Sequence, residues 1–144
     1  MPVEPAETTL TPYREPPSNV EAEQALLGAL LLNNEVINRV GDFLKPEHFY
    51  QPVHGRIFAA VSRLVDRGQI ANPVTLKHVF EGDDDLSEVG GAQYLARLAG
   101  SAVTIINAQH YARTIHDLAL RRSLIGIGEE LVIDSYEAKL ESDA

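Results

Sequence analysis

The most constraining feature of this sequence is a strongly apolar segment, Ser18 to Leu32, that opens with a helix start signal. Ser18 can cap the free backbone amides of a first turn, and Glu21 can return a hydrogen bond to the cap residue. Glu21 and Glu23 also suit the positive end of the helix dipole. The apolar side chains that surround this helix are Val20, Ala22, Ala25, Leu26, Leu27, Ala29, Leu30 and Leu31. We therefore predict a central core helix that other helices cover on most sides.

Helical spacing of apolar residues continues along the chain, and no alternating strand pattern is present in the sequence. The further helices predicted up to residue 100 are Glu35 to Phe43, Pro52 to Arg67, Pro73 to Phe80 and Ala92 to Ala99. Glycines and prolines at their ends fit helix stops and starts. The sequence predicts an all-α fold, a small orthogonal helical bundle with a long C-terminal helix.

That long helix runs from Asn107 to Tyr136, a segment without proline or turn clusters. Over this length one helix extends about 45 Å. A first apolar row, expected to pack on the body, consists of Tyr111, Ile115 and Leu118. A second row has the four- and three-residue spacing of a helix-pairing seam and consists of Leu120, Leu124, Ile127 and Leu131. We interpret this second row, called the seam below, as a candidate self-association surface.

Two glycines interrupt the same segment. Gly126 and Gly128 each cost about 1 kcal/mol relative to alanine in a helix interior. Their presence indicates close approach of another helix or a kink. A core helix that simply bends is the alternative interpretation of the whole segment.

The chain divides into three predicted parts. Residues 1–17 hold five of the eight prolines and almost no large apolar residues, which predicts a flexible tail. Residues 18–103 are predicted to form the globular helical domain, and residues 104–144 the long helix and the end of the chain. The chain has no cysteine, no secretory leader pattern and no apolar run long enough for a membrane span, so a cytoplasmic protein without membrane contact is expected.

Charge argues against a sequence-independent nucleic-acid clamp. The 12 Lys and Arg residues face 21 Asp and Glu residues, which gives a net charge of −9 and repels phosphate backbones. The cluster of Arg113, Arg121 and Arg122 is expected to be solvated or paired with Asp117 and nearby acids, with phosphate binding as the less favoured alternative. The triplet Asp83 to Asp85 is expected to be a solvated loop, because it lacks the alternate spacing of a calcium loop.

Motifs for catalysis are missing from the sequence. No Gly-Lys pair is present for a phosphate-binding loop, and no Gly-x-Ser-x-Gly elbow for a hydrolase. The five histidines are His48, His54, His78, His110 and His116. No two of them have the three- or four-residue spacing that would place both on one helix face to bind zinc. We therefore predict no catalytic, cofactor-binding or metal-binding residues, and an interaction module rather than an enzyme.

Several segments in order resemble the N-terminal domain of the bacterial replicative DNA helicases of the DnaB type. The opening segment, Asn19 to Asn33, carries the strongest likeness. The later ones are Asp42-Phe43-Leu44, His48-Phe49-Tyr50, His54 to Phe58, Asp66 to Gln69, Asn72 to Leu76, Gly90 to Leu95 and Tyr111-Ala112-Arg113. Their specificity lies in the series, which covers Pro17 to about Tyr136.

This resemblance implies a non-catalytic collar domain of a hexameric helicase that functions in DNA replication. In the family, the last helix is the first arm of a helical hairpin, hairpins of neighbouring subunits pair, and the collar receives primase within the primosome. ATP, magnesium and DNA are bound by a motor domain that has no counterpart in this sequence. The alternatives are a stand-alone helical adaptor or regulator that shares the fold, and a small enzyme with an unrecognised site.

Overall fold

A computed structural model describes residues 14–101 and 107–137, and all regular elements in these two ranges are helical. The helices are α1 (Val20–Leu32), α2 (Val36–Val40), α3 (Pro52–Asp66), α4 (Pro73–Val79), α5 (Asp84–Val89), α6 (Ala92–Gly100) and α7 (Ala108–Glu137). One turn of 3-10 helix, Pro46–His48, lies between α2 and α3. The all-α prediction is confirmed. Among the described helices, none has both the length and the apolar character needed to cross a bilayer.

The first helix, α1, is the centre of the bundle, as predicted. It packs against α3, α6 and α7, and Leu26, Leu27 and Leu30 are completely buried. Its cap is Asn19 rather than Ser18: the Oδ1 atom of Asn19 accepts a hydrogen bond from the Ala22 amide at 2.9 Å. The predicted cap was therefore displaced by one residue. An asparagine side chain serves this purpose as well as serine, so the sequence offered two adjacent caps.

The second helix is shorter than predicted, because the helical backbone stops at Gly41 and leaves Phe43 outside. The turn before it is held by Asn34, whose side chain donates to the Ala71 carbonyl and accepts from the Ala71 amide, both at 2.8 Å. This pair of hydrogen bonds fastens the turn between α1 and α2 to the segment that leads into α4.

The acidic triplet forms the start of a helix, which corrects the predicted solvated loop. Asp83 caps α5 by accepting a hydrogen bond from the Leu86 amide at 3.0 Å. Arg56 on α3 donates to Asp83 at 2.6 Å and to Asp85 at 2.7 Å. The Leu86 amide and, after it, Arg56 hold the pKa of Asp83 below its ordinary value. Helix capping and a cation from another helix thus organise carboxylates that look solvated in the sequence.

The last helix, α7, is continuous over 30 residues, and only its first half packs on the body. The buried row is Ala108, Ala112, Ile115 and Ala119. The predicted row of Tyr111, Ile115 and Leu118 is confirmed for Ile115, which is buried, and for Tyr111, which packs half-buried against the core, whereas Leu118 is half-buried. Small side chains let α7 approach the body closely, and the sequence analysis gave too much weight to large residues.

The predicted division of the chain falls partly outside the described ranges. Residues 1–13 of the predicted tail, the predicted boundary at residues 103 and 104, and residues 138–144 lie outside them. Residues 14–17 lead into α1 without regular structure.

Two leucines of α1 provide a matched test of the core. Leu26 is completely buried, whereas Leu32 at the end of the same helix is 57% exposed. We expect Leu26→Ala to lower the free energy of unfolding by about 2 to 5 kcal/mol, because it leaves a cavity in the core. Leu32→Ala should change it by about 0.5 kcal/mol or less. Chemical denaturation followed by circular dichroism measures both, and equal losses would contradict the central position of α1.

Candidate protein-interaction surface

The four seam residues lie on the exposed half of α7. Their exposed fractions are 54% for Leu120, 59% for Leu124, 61% for Ile127 and 66% for Leu131. No side chain within the described residues covers them. Large apolar side chains exposed in a row are unusual on a soluble monomer and indicate a protein contact.

A second apolar row lies on another side of the same half-helix. It consists of Ile125, Val132, Ile133 and Tyr136, each between 47% and 88% exposed. At 100° per residue, Ile125 and Val132 are about 120° around the helix from the seam. One partner helix cannot cover both rows. The sequence analysis missed the second row, although Leu118, Ile125 and Val132 repeat every seven residues.

The two glycines of α7 also belong to this exposed half. The helix is continuous through Gly126 and Gly128, and a methyl group added to either would meet nothing within 4 Å. Close packing inside the described chain therefore does not explain them. Gly128 lies beside Ile125 and Val132 in a shallow apolar groove, where its missing side chain leaves room for another helix.

Arg122 attaches the middle of α7 to the body. Its guanidinium donates to the Pro17 carbonyl and to the His48 carbonyl, both at 2.7 Å, and lies over the Tyr50 ring at 5.3 Å from the centroid. These contacts correct the predicted ion pairing with Asp117. Carbonyl groups bind a guanidinium without a carboxylate, and sequence spacing gives no sign of them.

The other two arginines of the cluster are exposed to solvent, as the first predicted alternative requires, and form no ion pair within the described residues. Arg113 lies over the Phe43 ring, 5.1 Å from its centroid, and Arg121 is exposed. No phosphate-binding group of three arginines is formed, since each of the three side chains has a different environment.

Two histidines lie next to the Arg122 contact. The rings of His48 and His116 meet edge to face with centroids 4.9 Å apart, and the Nδ1 atom of His48 accepts a hydrogen bond from the Lys45 amide at 2.9 Å. Partial burial, followed by the charge on His116, lowers the pKa of His48 below its ordinary value of 6.5. The contact between α7 and the 3-10 turn thus favours neutral His48.

A polar cluster inside the core connects three helices. The Glu23 carboxylate on α1 accepts hydrogen bonds from the Tyr50 amide at 2.6 Å and the Gln51 amide at 3.3 Å, and it lies 2.8 Å from His54 Nδ1 on α3. His54 Nε2 lies 2.5 Å from the Tyr94 hydroxyl on α6. Glu23, His54 and Tyr94 are all less than 10% exposed. We call this group the core relay.

The core relay has the order carboxylate, imidazole and hydroxyl, as in a hydrolase triad. The Tyr94 hydroxyl, however, accepts a hydrogen bond from Gln24, and Tyr94 is largely buried between α1 and α3. We interpret the relay as a structural connection between α1, α3 and α6.

The core relay was missed because Glu23 was interpreted as an acid at the helix dipole. The signal is present in both helices: Glu23 shares a face with Leu26, Leu27 and Leu30, and His54 shares one with Ile57, Phe58 and Val61. A single polar residue in each of two apolar faces predicts a buried pair. Within the described residues, no three His, Asp or Glu side chains come close enough together to hold a metal ion.

Comparison with known proteins gives one consistent family. A family model described as the DnaB-like helicase N-terminal domain matches residues 15–117. The replicative DNA helicase DnaB of Rickettsia felis is 46% identical over 128 residues, which cover 89% of this chain and 26% of that protein. DnaB of Geobacillus stearothermophilus is 36% identical over 130 residues, which cover 90% and 29%. The chain therefore spans little more than a quarter of these relatives.

Solved structures agree with the sequence matches. The crystal structure of the N-terminal domain of DnaB helicase from Mycobacterium tuberculosis has a TM-score of 0.78 and 35% identity, covering 85% of this chain and 88% of that chain. A DnaB-like replicative helicase, described together with its interactions with primase, has a TM-score of 0.69 and 28% identity, covering 88% and 30%.

The core relay generates a prediction with a control in the same helical turn. Glu23→Ala should lower the free energy of unfolding by about 1 to 3 kcal/mol or more, because it leaves the buried His54 ring and the part-buried Tyr50 and Gln51 amides without the Glu23 carboxylate. Glu21→Ala removes an exposed carboxylate from the same turn and should cost about 1 kcal/mol or less. Urea denaturation compares the two variants. A loss for Glu23→Ala no larger than that for Glu21→Ala would show that the relay does not hold the helices together.

Proposed function

Because the chain belongs to the family of DnaB-like helicase N-terminal domains, we propose that it is the non-catalytic collar domain of a hexameric replicative DNA helicase. In this proposal the globular bundle and α7 together mediate subunit association and dock primase during DNA replication. The parent protein would be an ATP-dependent DNA helicase that acts on the chromosome in the cytoplasm. The replicative helicases that this chain resembles support the proposal.

The observation that carries the proposed association is the exposed half of α7. The seam presents four large aliphatic side chains to solvent, and their spacing is that of paired helices. We infer that the seam packs on the corresponding helix of a second subunit. A stand-alone adaptor would need to bury the same residues on a different protein, and nothing in the fold favours that alternative.

The second apolar row fits the other half of a helical hairpin. Ile125, Val132 and Ile133 face away from the seam, so a returning helix could cover them while the seam stays free. The relatives are longer than this chain, and a returning helix would follow residue 144 in the parent protein. The open surface at Gly128 would let that helix approach closely.

Primase docking is supported by the structural relative that was described with primase. The net charge of −9 suits a protein partner better than nucleic acid. ATP, magnesium and DNA binding are assigned to the motor domain of the parent, because this chain contains no Gly-Lys pair for a phosphate loop.

The association proposal predicts that a charge in the seam separates subunits. Leu124→Glu should shift the chain towards monomer at micromolar concentration, because burial of one such leucine contributes about 1.5 to 3 kcal/mol. Ile133→Glu is the matched control, since Ile133 is similarly exposed but lies on the opposite face of α7. Sedimentation equilibrium gives the mass of each variant and of the wild type.

Three outcomes would contradict the seam as the association surface. A monomeric wild type, an unchanged mass for Leu124→Glu, or a monomer formed by Ile133→Glu alone would each assign the contact elsewhere. Circular dichroism of Leu124→Glu should remain that of the wild type, because Leu124 is exposed in the described fold.

The proposed role also predicts a pattern of ligands. Calorimetric titration should show binding of the primase from the same organism, and no binding of magnesium–ATP or of a DNA oligonucleotide at physiological salt. A steady-state assay should show no ATP turnover above a buffer blank. Tight binding of DNA would instead favour a nucleic-acid module, and ATP turnover that follows the protein through purification would favour an unrecognised enzyme.

A further inference from the structure

The joint between α7 and the body has an unusual composition. At this joint, Arg122 donates to two backbone carbonyls, one of which belongs to His48. The His48 ring packs against His116, which also meets Phe43 edge to face at 5.8 Å. Beyond Arg122, the residues of α7 are exposed except Gly126, which is half-buried. The joint is thus the last firm attachment of the exposed arm.

Protonation would disrupt this joint at several points. The Nδ1 atom of neutral His48 accepts from the Lys45 amide at 2.9 Å, and a protonated Nδ1 cannot accept that bond. The new charge would lie beside His116 and near Arg122, both on α7, and near Lys45 on its own turn. Among the residues that the structure describes, Glu47 is the one carboxylate that favours the charged form of His48. Repulsive groups therefore outnumber attractive ones.

We propose that this joint is an acid-sensitive latch that fixes the angle of α7 to the body. The latch is closed when His48 is neutral, and proton uptake by His48 opens it while the helix itself stays folded. The inference concerns the attachment of the arm and does not depend on what the arm binds.

The direction of the pH effect follows from the pKa of His48, which is lowered in the folded protein. A group with a lowered pKa binds its proton more weakly when the joint is closed than when it is open. The closed joint is therefore fully stable above the ordinary value of 6.5 and loses stability as the pH falls through it. Unpaired carboxylates titrate at lower pH, so histidine is the side chain that ordinarily changes its charge near pH 6.5.

A distance measurement tests the latch directly. The chain has no cysteine, so Gln69→Cys on the body and Glu130→Cys on the arm provide two unique, exposed sites for spin labels. Dilution with excess unlabelled chain keeps the measured distance within one molecule. We expect one narrow distance distribution at about pH 7.5 and a broadened or displaced one at about pH 5.5.

Matched variants identify the groups responsible. His48→Asn keeps an acceptor for the Lys45 amide, and His116→Phe keeps the ring packing, but neither can be protonated. The double variant should keep the narrow distribution at both pH values. His78→Asn changes an exposed histidine on α4 and should respond to acid like the wild type. Arg122→Met should give the broad distribution at both pH values.

The proposal is overturned if the wild-type distribution is the same at both pH values. It is also overturned if the double variant still responds to acid, or if Arg122→Met keeps a narrow distribution at about pH 7.5. His48→Asn alone is the second variant in case the double variant does not fold, and it should at least weaken the acid response.

Discussion

The structure depends on the complete burial of α1. A helix with leucine or alanine on nearly every side is stable only when several elements surround it, and here α3, α6 and α7 each cover one side. Helices that are distant in the sequence therefore lie close together in the fold, because each of them packs on α1. Apolar burial supplies most of the stability, but it does not specify a single arrangement of the helices, since leucines can pack in many ways.

The core relay restricts how the helices around α1 can be arranged. Glu23 accepts two backbone amides from the segment before α3 and approaches His54 within α3, and His54 meets Tyr94 on α6. Each of these groups is costly to bury alone, so a shifted helix would leave polar atoms without partners. We infer that the relay selects one arrangement of α1, α3 and α6 among the several that apolar contacts would allow.

The sequence predicted the helices well because helix formation is recorded locally, in caps and in the spacing of apolar residues. The first helix and the extent of α7 were correct within one or two residues. Contacts between distant residues were not predictable in this way. Arg122 binds carbonyl groups of two remote segments, and Asp83 pairs with Arg56 from another helix. Such contacts depend on the packed fold, whereas charge patterns along the sequence suggested only nearby partners.

The two halves of α7 differ in what surrounds them. In the first half of α7, alanines face the body and permit close packing, whereas in the second half large aliphatic residues remain exposed on two sides. The change from small buried residues to large exposed ones is what we expect if the first half of α7 packs inside the chain and the second half packs on a partner, as we propose. Because the helix is continuous through Arg122, its attachment to the body sets the direction in which both exposed rows point. The geometry of any assembly built on the seam is therefore decided at the joint, some distance from the contact itself.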